Sequence, residues 1–115
     1  MKATVYHNPR CSKSRETLAL LQEHGVETRV IEYLREPPDR ATLEKLLTLL
    51  RIEPRALLRT KEEEYRAAGL DDPKLTRDQI IDAMVQHPRL IERPIVVIGK
   101  RAVIGRPPQR VLELL

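Results

Sequence analysis

An α/β fold, built as βαβ, then a helical insert, then ββα, is what this sequence of 115 residues predicts. Three observations lead there. Two β-prone stretches, 2–7 and 28–34, flank a segment whose apolar residues recur at helical spacing, with short joints on either side. An apolar run at 94–98, "PIVVI", is followed after a "GK" joint by "KRAVIG". Between these halves lies a tract with one strongly amphipathic segment and clear helix starts and stops.

Each element has its own local reason. Residues 2–7, "KATVYH", alternate in polarity and read as a strand, which "NPRC" interrupts. From Ser12 to about His24, Leu18, Ala19 and Leu21 mark one helical face, and Gly25 supplies the stop. "TRVIEYL" at 28–34 is the second strand, so strand–helix–strand makes a βαβ unit with parallel strands and a right-handed crossover. "REPPD" is a turn. Thr42–Leu50, "TLEKLLTLL", is an amphipathic helix, and a turn or short helix precedes another helix near 61–68 that stops at Gly69. Thr76 opens "TRDQIIDAMVQHP" with a Thr N-cap, a Gln three residues on and a proline stop after His87. Residues 94–98 form a buried strand with 100–105 as its hairpin partner, and "RPPQRVLELL" closes as a helix with prolines at its start. The order predicts a thioredoxin-like fold around a mixed four-stranded sheet. No repeat, low-complexity tract or linker breaks it, so one domain over 1–115 is expected, with the helical insert over roughly 38–90.

Composition narrows the function. Hydrophobic residues are 41% and charged residues 33%, a soluble globular balance. The only aromatic residues are three Tyr, which leaves no stacking platform for single-stranded nucleic acid. The net charge of +4 is interspersed, as in "RTKEEEYRAAGLDD", and forms no basic stripe, so no nucleic-acid partner is expected. No apolar stretch approaches the roughly 18–20 residues that span a membrane, and the polar start "MKATVYHNP" reads as a strand rather than a signal peptide. One cysteine excludes an internal disulfide and any multi-cysteine metal site, and suits a reducing compartment. A cytoplasmic protein is expected.

That cysteine, Cys11, lies in "YHNPRCSKSRETL" at 6–18, one residue before a helix and just after a strand. It is either a small buried filler or a reactive thiol. Position favours the second reading. Free backbone N–H groups and the positive helix end favour an anion there, and Arg10, Lys13 and Arg15 are close in sequence. Such a setting lowers a thiol from its reference pKa of ~8.5. "CSKS" has Ser14 where a redox pair would have its second cysteine, and a Cys-x5-Arg phosphatase loop would need Arg where Thr17 stands. What remains is a lone thiolate beside cations, suited to binding an oxyanion and attacking it.

Four motifs at consistent spacing carry a resemblance: "YHNPRCSKSRETL" at 6–18, "RALLRT" at 55–60, "HPRLIERPIVV" at 87–97 and "GRPPQRVLELL" at 105–115. Together they resemble the glutaredoxin-dependent arsenate reductase family and its arsenate reductase-like relatives, over essentially the whole chain. The resemblance implies Cys11 as nucleophile and His7 as the neighbour that helps activate the thiol. It implies Arg59, Arg93 and Arg106 as ligands of the oxyanion and of its thiol-bound intermediate, with Ser14 and Arg15 in support. Guanidinium groups suit that task, because a tetrahedral oxyanion needs several forked donors. Arsenate is then the substrate, glutathione the co-substrate and glutaredoxin the partner. No metal and no bound organic cofactor is implied, and a monomer is expected. The fold resemblance also implies a cis peptide at Arg93–Pro94. Two other activities fit one cysteine on this fold: a reductase of glutathione mixed disulfides, and a non-enzymatic redox regulator that binds a protein partner.

Overall fold

A computed structural model describes residues 1–115. Two compact units are built from the chain: Met1–Glu36 together with Arg93–Leu115, and Pro37–Glu92.

The first unit holds the sheet. Strand β1 (Lys2–His7) is followed by helix α1 (Ser12–Glu23) and strand β2 (Glu27–Glu32), and the return segment gives β3 (Ile95–Ile98) and β4 (Arg101–Ile104). The spatial order is β2-β1-β3-β4. β1 and β2 are parallel, as the βαβ reading requires, whereas β3 runs antiparallel to both β1 and β4. This is the mixed four-stranded sheet expected of a thioredoxin-like fold.

Alternation along β1 puts Ala3, Val5 and His7 on the buried face. With Leu21 from α1, Val26, Val96, Val103, Val111 and Leu114, the first two make an aliphatic core. Of the apolar residues read from the sequence Leu21 is buried and Leu18 packs against the core, whereas Ala19 points to solvent; Ser14 and Thr17 complete the inward face of α1. Gly25 and Gly99 both have positive φ, the first ending α1 and the second turning the β3–β4 hairpin. The closing segment, Pro108–Leu114, is a 3₁₀ helix. Prolines at its start remove backbone donors. Its turn is closed by an i→i+3 bond from Arg110 N–H to the Pro107 carbonyl at 3.0 Å.

The second unit is helical. Helix α2 (Arg40–Leu50) starts at Asp39, whose side chain accepts from Thr42 N–H at 2.8 Å. A 3₁₀ turn at Pro54–Leu57 leads to the short α3 (Glu63–Ala67), and α4 (Arg77–Gln86) begins with a complete capping box between Thr76 and Gln79. Leu43, Leu46 and Leu47 of α2 and Ile80, Ile81 and Met84 of α4 are buried. Across these helices Arg40 pairs with both Asp78 and Asp82, and Arg77 pairs with Glu44. Arg55 holds the stretch after α3, donating to Tyr65 Oη at 3.1 Å, the Leu70 carbonyl at 2.6 Å and the Asp72 carbonyl at 2.8 Å. No helix is long and apolar enough to cross a membrane.

Candidate active site

β1 ends at His7, which is paired in register with Glu32 of β2. The chain then makes a tight loop organised by Asn8. The Asn8 carbonyl accepts from Cys11 N–H at 3.0 Å, its Oδ1 from Arg10 N–H at 3.0 Å, and its own N–H donates to Ser14 Oγ at 3.1 Å. Arg15 adds a bond to the Pro9 carbonyl at 2.9 Å. Asn8 was not among the residues singled out from sequence. Asn next to Pro in a strand-to-helix loop is the signal that would have found it.

Cys11 is the N-cap of α1, in an extended conformation, and is partly exposed. Its sulfur closes no tight capping bond of the kind Ser or Asp makes. Four cations or amides nevertheless act on it. Burial pushes the thiol pKa up, but the amides of Ser14 and Lys13, the Arg93 charge and the Arg106 guanidinium outweigh it, and the net shift is downward. Arg106 Nη1 lies 3.8 Å from Cys11 Sγ and 3.4 Å from the Arg93 carbonyl. Two of the three arginines implied by resemblance thus come to the thiol from the far end of the sequence. Arg93–Pro94 is cis, as expected, and Arg106–Pro107 is cis as well, which no sequence signal suggested.

The lowered thiol pKa has a direct readout. Iodoacetamide alkylation of Cys11, followed against pH, should rise with a midpoint below the ~8.5 of an unperturbed thiol. A midpoint at or above that reference would leave only the buried-filler reading.

His7 takes a different place from the one a cationic activator would need. Its ring is buried, and Nδ1 sits 2.8 Å from Ser14 Oγ, itself fully buried. Burial lowers the His7 pKa most, the Glu32 carboxylate opposes this, and Arg15 adds to the lowering. The imidazole is therefore neutral at neutral pH. Ser14 Oγ accepts from Asn8 N–H and lies within hydrogen-bond distance of His7 Nδ1, so the hydroxyl links the imidazole to the loop. His7 and Ser14 are linked under the loop, and His7 bears on the thiol through Ser14, in the first turn of α1, whose amide favours the thiolate.

A pH dependence of stability follows. The folded state disfavours charged His7, so between its folded pKa and the unfolded reference of ~6.5 the unfolded chain binds more protons. Stability is then present above ~6.5 and is lost as pH falls below it. The melting temperature measured from pH 8 to pH 5 should fall on the acid side. In His7→Asn, which keeps an acceptor but does not titrate, that fall should be shallower. Equal slopes in the two proteins would remove His7 as its source.

Arg59 belongs to the helical unit. Its backbone N–H donates to the Leu90 carbonyl at 2.7 Å, Nη1 donates to the Arg89 carbonyl at 3.2 Å, and the guanidinium pairs with Glu62. These bonds join "RALLRT" to "HPRLIE", two of the motifs that carried the resemblance. Within this unit the Arg59 charge already has a carboxylate partner.

Known proteins agree with the motif reading. A profile of the ArsC family matches residues 6–114. "Uncharacterized protein YfgD" of Escherichia coli (strain K12) is 54% identical over 112 residues, covering 96% of this chain and 94% of that one. An arsenate reductase of Acidiphilium multivorum is 48% identical, over 97% of this chain and 79% of its own length. Among solved structures, an arsenate reductase from Vibrio cholerae superposes with a TM-score of 0.98 at 50% identity, covering 100% of this chain and 98% of the other.

Proposed function

Because the chain belongs to the ArsC family, we propose that it reduces arsenate to arsenite through a Cys11 thiol–arsenate intermediate, with glutathione and a glutaredoxin supplying the second thiol. The observation that carries this reading is the Cys11 sulfur, held under a lowered pKa with Arg106 Nη1 at 3.8 Å and the Arg93 charge beside it.

In the first step the Cys11 thiolate attacks arsenic. An As–O bond breaks, and the oxygen leaves as water after taking protons from solvent. Arg93 and Arg106 hold fixed positive charge where the oxyanion sits during attack, and the amides at the start of α1 add donors without reorganising. Glutathione thiolate then attacks the intermediate. The electron pair of the S–As bond passes to arsenic, a disulfide forms between Cys11 and glutathione, and arsenite leaves. Glutaredoxin exchanges with that mixed disulfide and returns the Cys11 thiolate. The Cys11 sulfur is the nucleophile of the first step and the atom glutathione attacks in the second, and the buried Ser14–His7 pair keeps the loop in shape around it. The role that resemblance implies for Arg59 rests on its motif, and Arg15 serves the loop through the Pro9 carbonyl.

A coupled assay tests the reading: protein, glutathione, glutaredoxin, glutathione reductase and NADPH, with arsenate as the variable. Arsenate-dependent NADPH consumption is expected. Consumption that follows a glutathione mixed disulfide but not arsenate would assign the disulfide reductase instead. Consumption with neither would leave a binding protein of this fold.

A further inference from the structure

The Arg106 guanidinium is an exposed, flexible side chain, yet it reaches a sulfur on a different element. What sets that reach is the backbone beneath it. Gly105 is buried between two neighbours. Its N–H donates to the Pro94 carbonyl at 2.9 Å, and its carbonyl faces Thr17 Oγ1 at 3.3 Å. Thr17 is fully buried one turn into α1, and its hydroxyl also donates to the Lys13 carbonyl at 2.8 Å. A Cβ on Gly105 would stand 2.7 Å from Thr17 Oγ1, 3.0 Å from Thr17 Cγ2 and 3.0 Å from Pro94 Cγ. Gly105 is therefore glycine for want of space, since its backbone is not in the left-handed region.

This contact joins three segments that each bear on the thiol. Thr17 lies on the helix that Cys11 caps, Pro94 follows Arg93, and Gly105 precedes Arg106. We propose that Thr17 and Gly105 form a spacer that sets the distance of Arg93 and Arg106 from Cys11, which makes Thr17 a positioning residue for the site although it touches neither sulfur nor substrate. One hydroxyl proton serves two carbonyls, with Lys13 the nearer. Bonded to both, the hydroxyl holds the Thr17 side chain in one rotamer and so fixes where its atoms meet Gly105. A core position with an aliphatic residue would supply the packing without the polar contact. Thr17 supplies both, in a helix face otherwise closed by Ser14 and Leu21.

The substrate half of this proposal rests on the arsenate reading above, while the thiolate half does not, and the test separates them. Gly105→Ala, Thr17→Ala, the double variant and Thr17→Val are compared with wild type by circular dichroism, by the pH midpoint of iodoacetamide alkylation, and by KM and kcat for arsenate. In Gly105→Ala the loop is pushed off α1, so the alkylation midpoint moves to higher pH and KM for arsenate rises. Thr17→Ala removes the two clashing atoms that belong to Thr17 and leaves Pro94 Cγ at 3.0 Å. The double variant should therefore move back toward wild type in both readouts, against simple addition of two losses. Thr17→Val keeps the shape and loses the hydroxyl, which should raise KM roughly 2- to 10-fold, with Thr17→Ser restoring it. A role confined to folding would lower the melting temperature and leave the midpoint of the folded protein unmoved.

If Gly105→Ala does not fold, the Thr17→Val and Thr17→Ser pair carries the test. Wild-type midpoints in folded Gly105→Ala, a double variant no better than the summed singles, or Thr17→Val indistinguishable from wild type would each overturn the proposal. Midpoints that shift and recover as stated, in a protein that turns over no arsenate, would sustain the spacer and sink the arsenate reading.

Discussion

Cys11→Ser should abolish arsenate turnover, and the wild-type protein should turn over only while an external thiol is present. The expected loss is complete because the chain has one thiol and the reaction is a two-electron reduction. Two thiols give up two electrons in forming one disulfide. Ser14 stands where a resolving cysteine would, its hydroxyl is committed between Asn8 N–H and His7 Nδ1, and an alcohol does not exchange with disulfides. Reduced protein is mixed with arsenate, and glutathione and glutaredoxin are then added separately and together, with arsenite measured. Multiple turnover without added thiol would refute the mechanism, as would unimpaired reduction by Cys11→Ser. Ser14→Cys places a second thiol one helical turn from Cys11. It should make reduction partly independent of glutathione wherever the His7 neighbourhood accepts the loss of the hydroxyl.

The second large effect is on the oxyanion. Arg106→Ala removes a guanidinium 3.8 Å from the sulfur, and Arg93→Ala removes another charge that favours the thiolate. A charge-assisted interaction of about 1.5–3 kcal/mol, if it acts fully in the transition state, corresponds to roughly a 10- to 150-fold loss in kcat/KM. Arg106 is the cleaner probe, because its side chain is exposed and its removal leaves the core closed. Both variants should also shift the alkylation midpoint upward, since each cation favours the charged sulfur. Arg→Lys should recover part of the midpoint but little of the turnover, because an ammonium keeps charge and loses the planar fork. Wild-type kinetics in both folded Ala variants would take these residues out of the site.

Local chemistry made much of this legible in the sequence. Alternation in "KATVYH" marks β1 at its true bounds, and Thr76 with Gln79 announces a capping box that the structure contains in full. Cys11 before a helix reads correctly as a thiol among amide donors, because both partners lie within three residues. Longer-range facts were not legible in this way. That Arg106 contacts the sulfur and the Arg93 charge acts on it depends on β3 folding back beside β1 with β4 next to β3, and only the family resemblance pointed to them. The neutrality of His7 is a matter of burial, which a residue flanked by Tyr and Asn does not disclose. Thr17 and Gly105 look like an ordinary helix residue and an ordinary loop glycine until their separation is measured.

Arg55 bears on how the helical unit comes apart. The stretch from Leu70 to Asp72 has no strand ladder, and the carbonyls at both of its ends are held by one guanidinium that also bonds Tyr65. Bonds that share a donor break together. One side chain thus ties both ends of the stretch, and in Arg55→Ala its amides should exchange faster together, as one block, by native-state hydrogen exchange.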